Sequence, residues 1–333
     1  MKQIVTLLIA LACGVVQSSA SDRVDFVNDV MPVLTKVGCN TGACHGSAAG
    51  RGNFKLSLYG GNPQADYEAI VREISGRRIN LQKPEESLII LKPTFAIDHG
   101  GKFLLDDDDD GTQLLLRWIQ EGAEKVTHRE LERVEFTPRT YFIEKTDADV
   151  QLRAEAFYAD GSSQDVTPWT VFSAEDSSAV RIDKDSAVAT PLRGGRHIIT
   201  ARYLDSVAPI EIVIPLSDKP VDLASQPRGN FIDDEVLSRL ATLRLPVSPQ
   251  ADDSTFIRRV SLDLTGRLPE PDKVMAYLEN RDQNKNEELI DELVQTDAFN
   301  EYWSYKFAKW LRMGKDPNDE NGIATYRLWL SNQ

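Results

Sequence analysis

The stretch GCNTGACHG, residues 38–46, places two cysteines and a histidine close together in the chain. A covalently attached haem requires two thiols, which add across its vinyl groups, and an imidazole directly after the second thiol. Cys39, Cys44 and His45 supply these groups in that order, with four residues between the thiols where the usual motif has two. Because Gly42 gives the longer loop freedom to bulge, the pattern predicts haem c attached through Cys39 and Cys44, with His45 as the proximal iron ligand.

Two other uses of these side chains stay open at this point. A disulfide between Cys39 and Cys44 is sterically feasible in an oxidising compartment, although it leaves the role of His45 unexplained. A structural zinc site normally has four ligands. Only His99 and His128 lie nearby to join the first three residues, and there is no second cysteine pair.

The sixth ligand of a haem iron is commonly a methionine or a histidine, or is absent. Met31 lies eight residues before Cys39, on a predicted helix that leads into the site from the side of His45. His128 lies in a charged segment, whereas His99 lies in FAIDHGGKF, a glycine-flanked loop that can closely approach a planar cofactor. We therefore expect His99 as the distal ligand; in the alternative, His99 is an ordinary loop histidine.

The N-terminal sequence MKQIVTLLIALACGVVQSSA, residues 1–20, has the pattern of a secretory signal peptide cleaved after Ala20. Its apolar stretch is shorter than the ~20 residues of a membrane-spanning helix, and no later segment qualifies as one. Cleavage would leave Cys39 and Cys44 as the only cysteines of the mature chain. A lipoprotein acylated at Cys13 is an alternative, although the apolar stretch continues past that residue. We therefore expect a periplasmic, extracellular or cell-surface protein.

Composition limits the partners and the types of site. The 333 residues carry a formal net charge of -14 and no basic stripe, which excludes nucleic acid as a partner. The acidic run Asp106–Asp110 lacks the alternating spacing of a calcium loop, so a solvated turn that precedes a helix is preferred. Ser261 and Asp263 cannot form a hydrolytic triad within the C-terminal part of the chain, because no histidine follows His197.

Hydrophobic periodicity predicts a multidomain fold with three segments after the signal peptide. Residues 25–123 have helical spacing and are predicted to form an all-α domain. Residues 134–216 alternate apolar and polar positions between turn signals such as Asp160-Gly161, which predicts an all-β sandwich. Residues 229–333 return to helical spacing, and an aromatic stripe in FNEYWSYKFAKWLRM is predicted to pack in the core of an all-α domain.

The three segments together resemble large exported proteins of the planctomycete type. VGCNTGACHG, SLIILKP, DHGGK and LLLRWIQEGA are similar, in this order, to their cytochrome c-like domain. LRAEAFYADGSSQDVTPWTVFSAEDSSAVRID and GGRHIITARY resemble a bacterial Ig-like domain of group 2. FIDDEVLSRL, FIRRVSLDLTGRLP and YWSYKFAKWLRMG are similar to the domain of unknown function that follows in those proteins. Such proteins usually continue further, and this chain stops at RLWLSNQ, which leaves open that it is a fragment.

The resemblance implies haem attachment at Cys39 and Cys44, His45 as the proximal ligand, and His99 within the HGG-type stretch of that domain. We expect a one-electron carrier with no assigned catalytic residue, whose Ig-like domain acts as a spacer or contacts a cell-surface or polysaccharide partner. The helical domain would dock an unidentified redox partner or a further region. Bis-histidine ligation would lower the reduction potential relative to methionine ligation.

Two alternatives to electron transfer stay open. In the first, the chain is a cell-surface binding protein with a Cys39–Cys44 disulfide, and its Ig-like domain binds the partner. In the second, it is a haem-dependent oxidoreductase that acts on an extracellular polymer, which requires an open haem site.

Overall fold

The computed structural model describes residues 23–101, 104–313 and 320–331. The predicted signal peptide, residues 1–20, lies outside the described residues. The chain divides into two compact units, one up to Pro246 and one from Val247 onward. Within the described ranges, no helix has the length and apolar character needed to cross a membrane.

The first unit begins with short helices joined by loops, as the helical spacing predicts. They are a π-helical turn Phe26–Val30, α1 (Met31–Lys36), α2 (Pro63–Tyr67), a second π-helical turn Glu68–Arg72, α3 (Glu73–Gly76), α4 (Leu88–Leu91) and α5 (Asp110–Gln120), with 3-10 turns at Leu58–Gly60 and Pro84–Glu86. The buried carboxylate of Asp25 caps the π-helical turn Phe26–Val30. It accepts hydrogen bonds from the backbone N–H groups of Val27 and Asn28, both at 2.9 Å.

Helix α5 closes this helical part. Its apolar side chains at helical spacing turn inward: Leu115, Trp118 and Ile119 are buried and Leu114 is half-buried. The helix is followed by Gly122, whose positive φ of 101° ends it. The acidic run before it is exposed and forms a turn, in which the backbone N–H of Asp106 donates to the carboxylate of Asp109 at 2.7 Å.

Residues 131–214 form an all-β region, as the alternating pattern predicts. The strands are β1 (Leu131–Thr137), β2 (Thr140–Phe142), β3 (Val150–Gln151), β4 (Arg153–Tyr158), β5 (Ser163–Asp165), β6 (Val171–Ala174), β7 (Val180–Asp183), β8 (Val188–Pro191), β9 (Gly195–Tyr203) and β10 (Ser206–Ile214). They form three sheets, with strand orders β1-β4-β5, β2-β10-β9-β6 and β3-β8-β7. The turn between β4 and β5 uses Gly161 at a φ of 82°. The assignment of this region to an Ig-like sandwich stays a prediction.

The helical part and the β region of the first unit share one continuous hydrophobic core. Polar bonds reinforce this junction: the Tyr203 hydroxyl in β9 donates to the backbone carbonyl of Asn28 at 3.0 Å. The side-chain amide of Asn28 donates in turn to the carbonyl of Arg129 at 2.7 Å. The two segments that differ in sequence period therefore pack as one body rather than as two independent ones.

Helix α6 (Phe231–Leu243) also belongs to the first unit. The backbone N–H of Leu216, just after β10, donates to the carbonyl of Leu243 at 2.9 Å. Arg244, which ends the helix in a left-handed conformation, donates to the Glu144 carboxylate at 2.7 Å.

The second unit is helical over its described residues. Its helices are α7 (Asp253–Thr265), α8 (Pro271–Glu279), α9 (Lys285–Val294), α10 (Asp297–Trp310) and α11 (Glu320–Ser331). Its core is small and centres on Ile257, Tyr277, Leu289 and Leu293. The interpretation of the α10 aromatic stripe as core is wrong for Phe307 and Trp310, which are 42% and 61% exposed. The reason is the rotation of the helix, which turns Ala308 inward instead.

Candidate cofactor-binding site

The loop from Cys39 to His45 folds back on itself, so that its ends meet. The backbone N–H of His45 donates to the carbonyl of Cys39 at 2.9 Å, and that of Cys44 donates to the carbonyl of Thr41 at 2.9 Å. Gly42 and Ala43 are exposed at the tip. The longer spacing between the thiols is therefore taken up by an outward bulge, and both thiols and the imidazole stay at the base of the loop.

Asn40 anchors this loop to the core and is fully buried. Its side-chain amide donates to the hydroxyl of Thr35 in α1 at 2.8 Å. Its backbone carbonyl accepts a hydrogen bond from the N–H of Tyr59 at 3.1 Å. The cysteine loop is thus held by α1 on one side and by the 3-10 turn at Leu58–Gly60 on the other.

Gly46 is required because the Asn40 backbone passes directly over it. A β-carbon on Gly46 would overlap the carbonyl oxygen of Asn40 and lie 2.6 Å from the carbonyl carbon. We expect Gly46→Ala to destabilise the first unit by about 1–3 kcal/mol, because backbone must move to admit the methyl group. Gly100→Ala is the matched control, since a β-carbon there meets nothing within 4 Å. Urea unfolding of both variants measures the difference, and equal stabilities would contradict this account.

A cavity of about 390 Å³ lies beside the loop, within the range of small-molecule sites. It is lined by all four side chains singled out in the sequence, namely Cys39, Cys44, His45 and His99. Aliphatic side chains supply much of the remaining wall, including Leu34, Leu56, Leu88, Ile89 and Leu104. The structure therefore brings the two thiols and both imidazoles to one largely apolar space.

The His45 ring is oriented by a backbone carbonyl. Its Nδ1 lies 3.1 Å from the carbonyl oxygen of Phe54, and the Phe54 ring packs against the imidazole with centroids 4.6 Å apart. Burial lowers the pKa of His45, so the ring is neutral at pH 7. With the Nδ1 proton donated to this carbonyl, the lone pair is on Nε2, which makes Nε2 the nitrogen available to a metal.

The His99 ring lies near that of His45 and is almost parallel to it. The two ring centroids are 6.2 Å apart and the ring planes are inclined by only 13°. A β-carbon on Gly101 would lie 2.9 Å from the His99 ring, so the imidazole would have to shift to admit a larger residue at this position. The Nδ1 atom of His99 is buried and has no hydrogen-bond partner within the described part of the chain. Burial lowers the pKa of His99 as well, which keeps this ring neutral at pH 7.

The two thiols are not joined to each other in this structure. Cys39 is buried, and Cys44 is half-buried. Burial raises the pKa of Cys39 to about 12, which keeps its side chain a protonated thiol at neutral pH.

Four cations also line the cavity, and the sequence interpretation did not single them out. They are Arg51, Arg77, Arg78 and Lys92, whereas the described lining residues include no carboxylate. Arg78 is fixed by its bonds to the carbonyls of Ala69 at 2.6 Å and Asn53 at 2.8 Å. Arg51 and Arg77 form no ion pair with a described carboxylate. In the sequence, the adjacent pair Arg77-Arg78 is the one indication of local positive charge near the site, and it is inconspicuous in a chain with an acidic composition.

The other ligands considered from the sequence lie elsewhere. Met31 is fully buried in the core and does not line the cavity, and neither does His128. Over residues 23–101, 104–313 and 320–331, no group of three or more His, Cys, Asp or Glu side chains is arranged to hold a metal ion. A zinc site with several protein ligands therefore has no support in the described geometry.

Comparison with known proteins concerns the C-terminal third of the chain. Residues 231–333 match the family PSCyt2, a protein of unknown function (DUF1549). This match confirms the resemblance of the third segment to a domain of unknown function, while the resemblances of the first two segments stay predictions. A comparison with curated proteins gives no match.

Proposed function

We propose that this protein binds one haem c through thioether bonds to Cys39 and Cys44 and serves as an exported one-electron carrier. His45 would be the proximal and His99 the distal iron ligand. The observation that carries the proposal is the pair of nearly parallel imidazoles with ring centroids 6.2 Å apart, which lie in the cavity that both cysteines line.

The distance between the imidazoles fits two ligands of one metal ion. A metal lies about 2 Å from each coordinating imidazole nitrogen, so two rings on opposite sides of it have centroids roughly 6 Å apart. His45 and His99 have this separation, at 6.2 Å. Two protein ligands are sufficient for a haem iron, because the porphyrin itself supplies the other four nitrogens.

The walls of the cavity also fit haem, which combines a flat apolar ring with two carboxylates at one edge. Ile74 and Phe95 lie at the cavity, Ile74 in its lining and Phe95 against His99, yet they are 54% and 45% exposed. An apolar ring would cover such surface. Arg51 and Arg77 are exposed and form no ion pair with a described Asp or Glu side chain. They can therefore pair with the two carboxylates of the haem.

The protein residues then have separate tasks in electron transfer. Haem supplies a centre that gains or loses one electron. The Phe54 carbonyl fixes the orientation of His45 and makes it a more basic ligand. The apolar wall limits the access of water to the site. If His45 and His99 both bound the iron, transfer of an electron to a redox partner would be favoured over binding of an external substrate.

We further propose a cytochrome c-like fold for the helical part of the first unit, an Ig-like fold for the β region, and a periplasmic or extracellular location. The order of motifs around Cys39 and the signal-like residues 1–20 support these assignments. In this proposal the chain has no catalytic residue of its own.

The test is the pyridine haemochrome spectrum of the full chain, produced in a host that exports proteins and attaches haem. We expect a c-type spectrum that persists after acid-acetone extraction, together with a mass increase of one haem on the denatured chain. An apoprotein from that host with a Cys39–Cys44 disulfide, detected by alkylation before and after reduction, would overturn the proposal in favour of a binding protein.

A further inference from the structure

The β region reaches the cysteine loop through Arg202 of β9. The Arg202 guanidinium lies over the ring of Tyr59, 4.4 Å from the ring centroid, which is the geometry of a cation–π contact. Tyr59 in turn donates its backbone N–H to the carbonyl of Asn40, which lies directly after Cys39. Tyr59 has a positive φ of 52°, a conformation that costs a non-glycine residue free energy and therefore needs support from its surroundings.

A second connection lies just before the loop. The ammonium group of Lys36, at the end of α1, donates to the backbone carbonyls of Thr170 and Lys184, both at 2.9 Å. Thr170 directly precedes β6, and Lys184 follows β7. Lys36 is three residues before Cys39, so this bond fixes the end of the helix from which the loop begins.

The two contacts hold the loop from both sides. Lys36 fixes its entry, and Tyr59 fixes Asn40 at its base, while both side chains are themselves held by strands or by strand ends of the β region. The bulge of Gly42 and Ala43 is exposed and contributes little packing of its own. The position of Cys39 and His45 relative to the cavity therefore depends on residues far along the chain.

We propose that the β region supports the cofactor site without lining its cavity, and that Arg202 and Lys36 are positioning residues that hold the Cys39–His45 loop through Tyr59 and α1. This role goes beyond that of a spacer or an adhesive module. Its functional meaning rests on the proposed haem site, but the mechanical coupling between the β region and the loop can be measured without haem.

The first experiment uses amide hydrogen exchange on the full-length apoprotein. Arg202→Ala should speed exchange of the Tyr59, Cys44 and His45 amides by about 5-fold, the effect of losing one cation–π contact. Arg133→Ala is the matched control, because Arg133 lies over Phe157 at 3.8 Å in another sheet of the β region. The control should leave these three amides unchanged.

Three results separate positioning from general stability. Arg202→Lys should restore most of the protection, because an ammonium group can also lie over the Tyr59 ring. Lys36→Met, which keeps the apolar stem, should speed exchange of the same loop amides. Equal exchange in Arg202→Ala and wild type, or equal acceleration by Arg133→Ala, would overturn the proposal.

The second experiment uses the haem-loaded chain. Arg202→Ala should shift the midpoint potential relative to wild type and Arg133→Ala, because a looser loop holds His45 less firmly. A chain that takes up no haem but shows the loop effect in exchange would contradict the proposed function and leave the coupling standing. A chain that binds haem normally, with an unchanged potential in Arg202→Ala, would contradict the positioning role alone.

Discussion

Replacing His99 with alanine should convert the ferric protein from a low-spin to a high-spin species almost completely, while the haem stays covalently attached. The His99 ring is nearly parallel to that of His45, with centroids 6.2 Å apart, and Met31, which is buried in the core of the first unit, does not line the cavity. Removal of the imidazole would therefore leave the sixth coordination position of the proposed haem iron open to water or to an added ligand. Absorption and electron paramagnetic resonance spectra measure the spin state.

The variant should also bind cyanide far more readily than the wild type, because no protein ligand has to be displaced. His128→Ala is the control: His128 does not line the cavity, so this variant should keep the low-spin spectrum. An unchanged spectrum in His99→Ala would show that His99 is an ordinary loop residue. A wild-type protein that is already high-spin would instead favour the oxidoreductase alternative, which requires an open iron.

Replacing both Cys39 and Cys44 with alanine should abolish covalent attachment. The two thiols line the same cavity as His45, and we expect each to form one thioether. Each single variant should retain one bond and give a haemochrome spectrum between those of haem c and of unattached haem. The amount of haem that remains on the chain after acid-acetone extraction measures the difference.

The folding cost of the cysteine changes is a separate quantity. Cys39 is buried, so Cys39→Ala is expected to lower the free energy of unfolding by about 1 kcal/mol through loss of packing. Cys44→Ala should cost less, because Cys44 is only half-buried. Thermal unfolding of the apoproteins checks this. Covalent attachment that survives in the double variant would exclude both thiols as attachment sites.

Local patterns were sufficient to predict much of the secondary structure. The apolar face of α5 and the alternation in β4, β9 and β10 follow from the periods of helix and strand, and the structure confirms them. The aromatic stripe of α10 was harder to interpret. Helical period shows that its residues share a face, but which face turns inward depends on the neighbouring helices.

The site was partly accessible from the sequence. Cys39, Cys44 and His45 are adjacent in the chain, so their pattern alone indicated a site, and His99 was reached by elimination. The contact between His45 and His99 and the gathering of four cations depend on tertiary packing that no local period encodes. The same holds for the bond from Lys36 to Thr170 and Lys184, which joins residues more than a hundred positions apart.

The described residues that line the cavity include four cations and no carboxylate, which bears on the reduction potential of the proposed haem. Arg51, Arg77, Arg78 and Lys92 make the cavity a region of positive electrostatic potential in a chain whose formal net charge is -14. A positive potential stabilises an added electron, and it acts most strongly where burial keeps solvent and salt from screening it. In the proposed haem protein these cations would offset the negative charge of the two haem carboxylates, which would otherwise lower the midpoint potential beyond the effect of two histidine ligands.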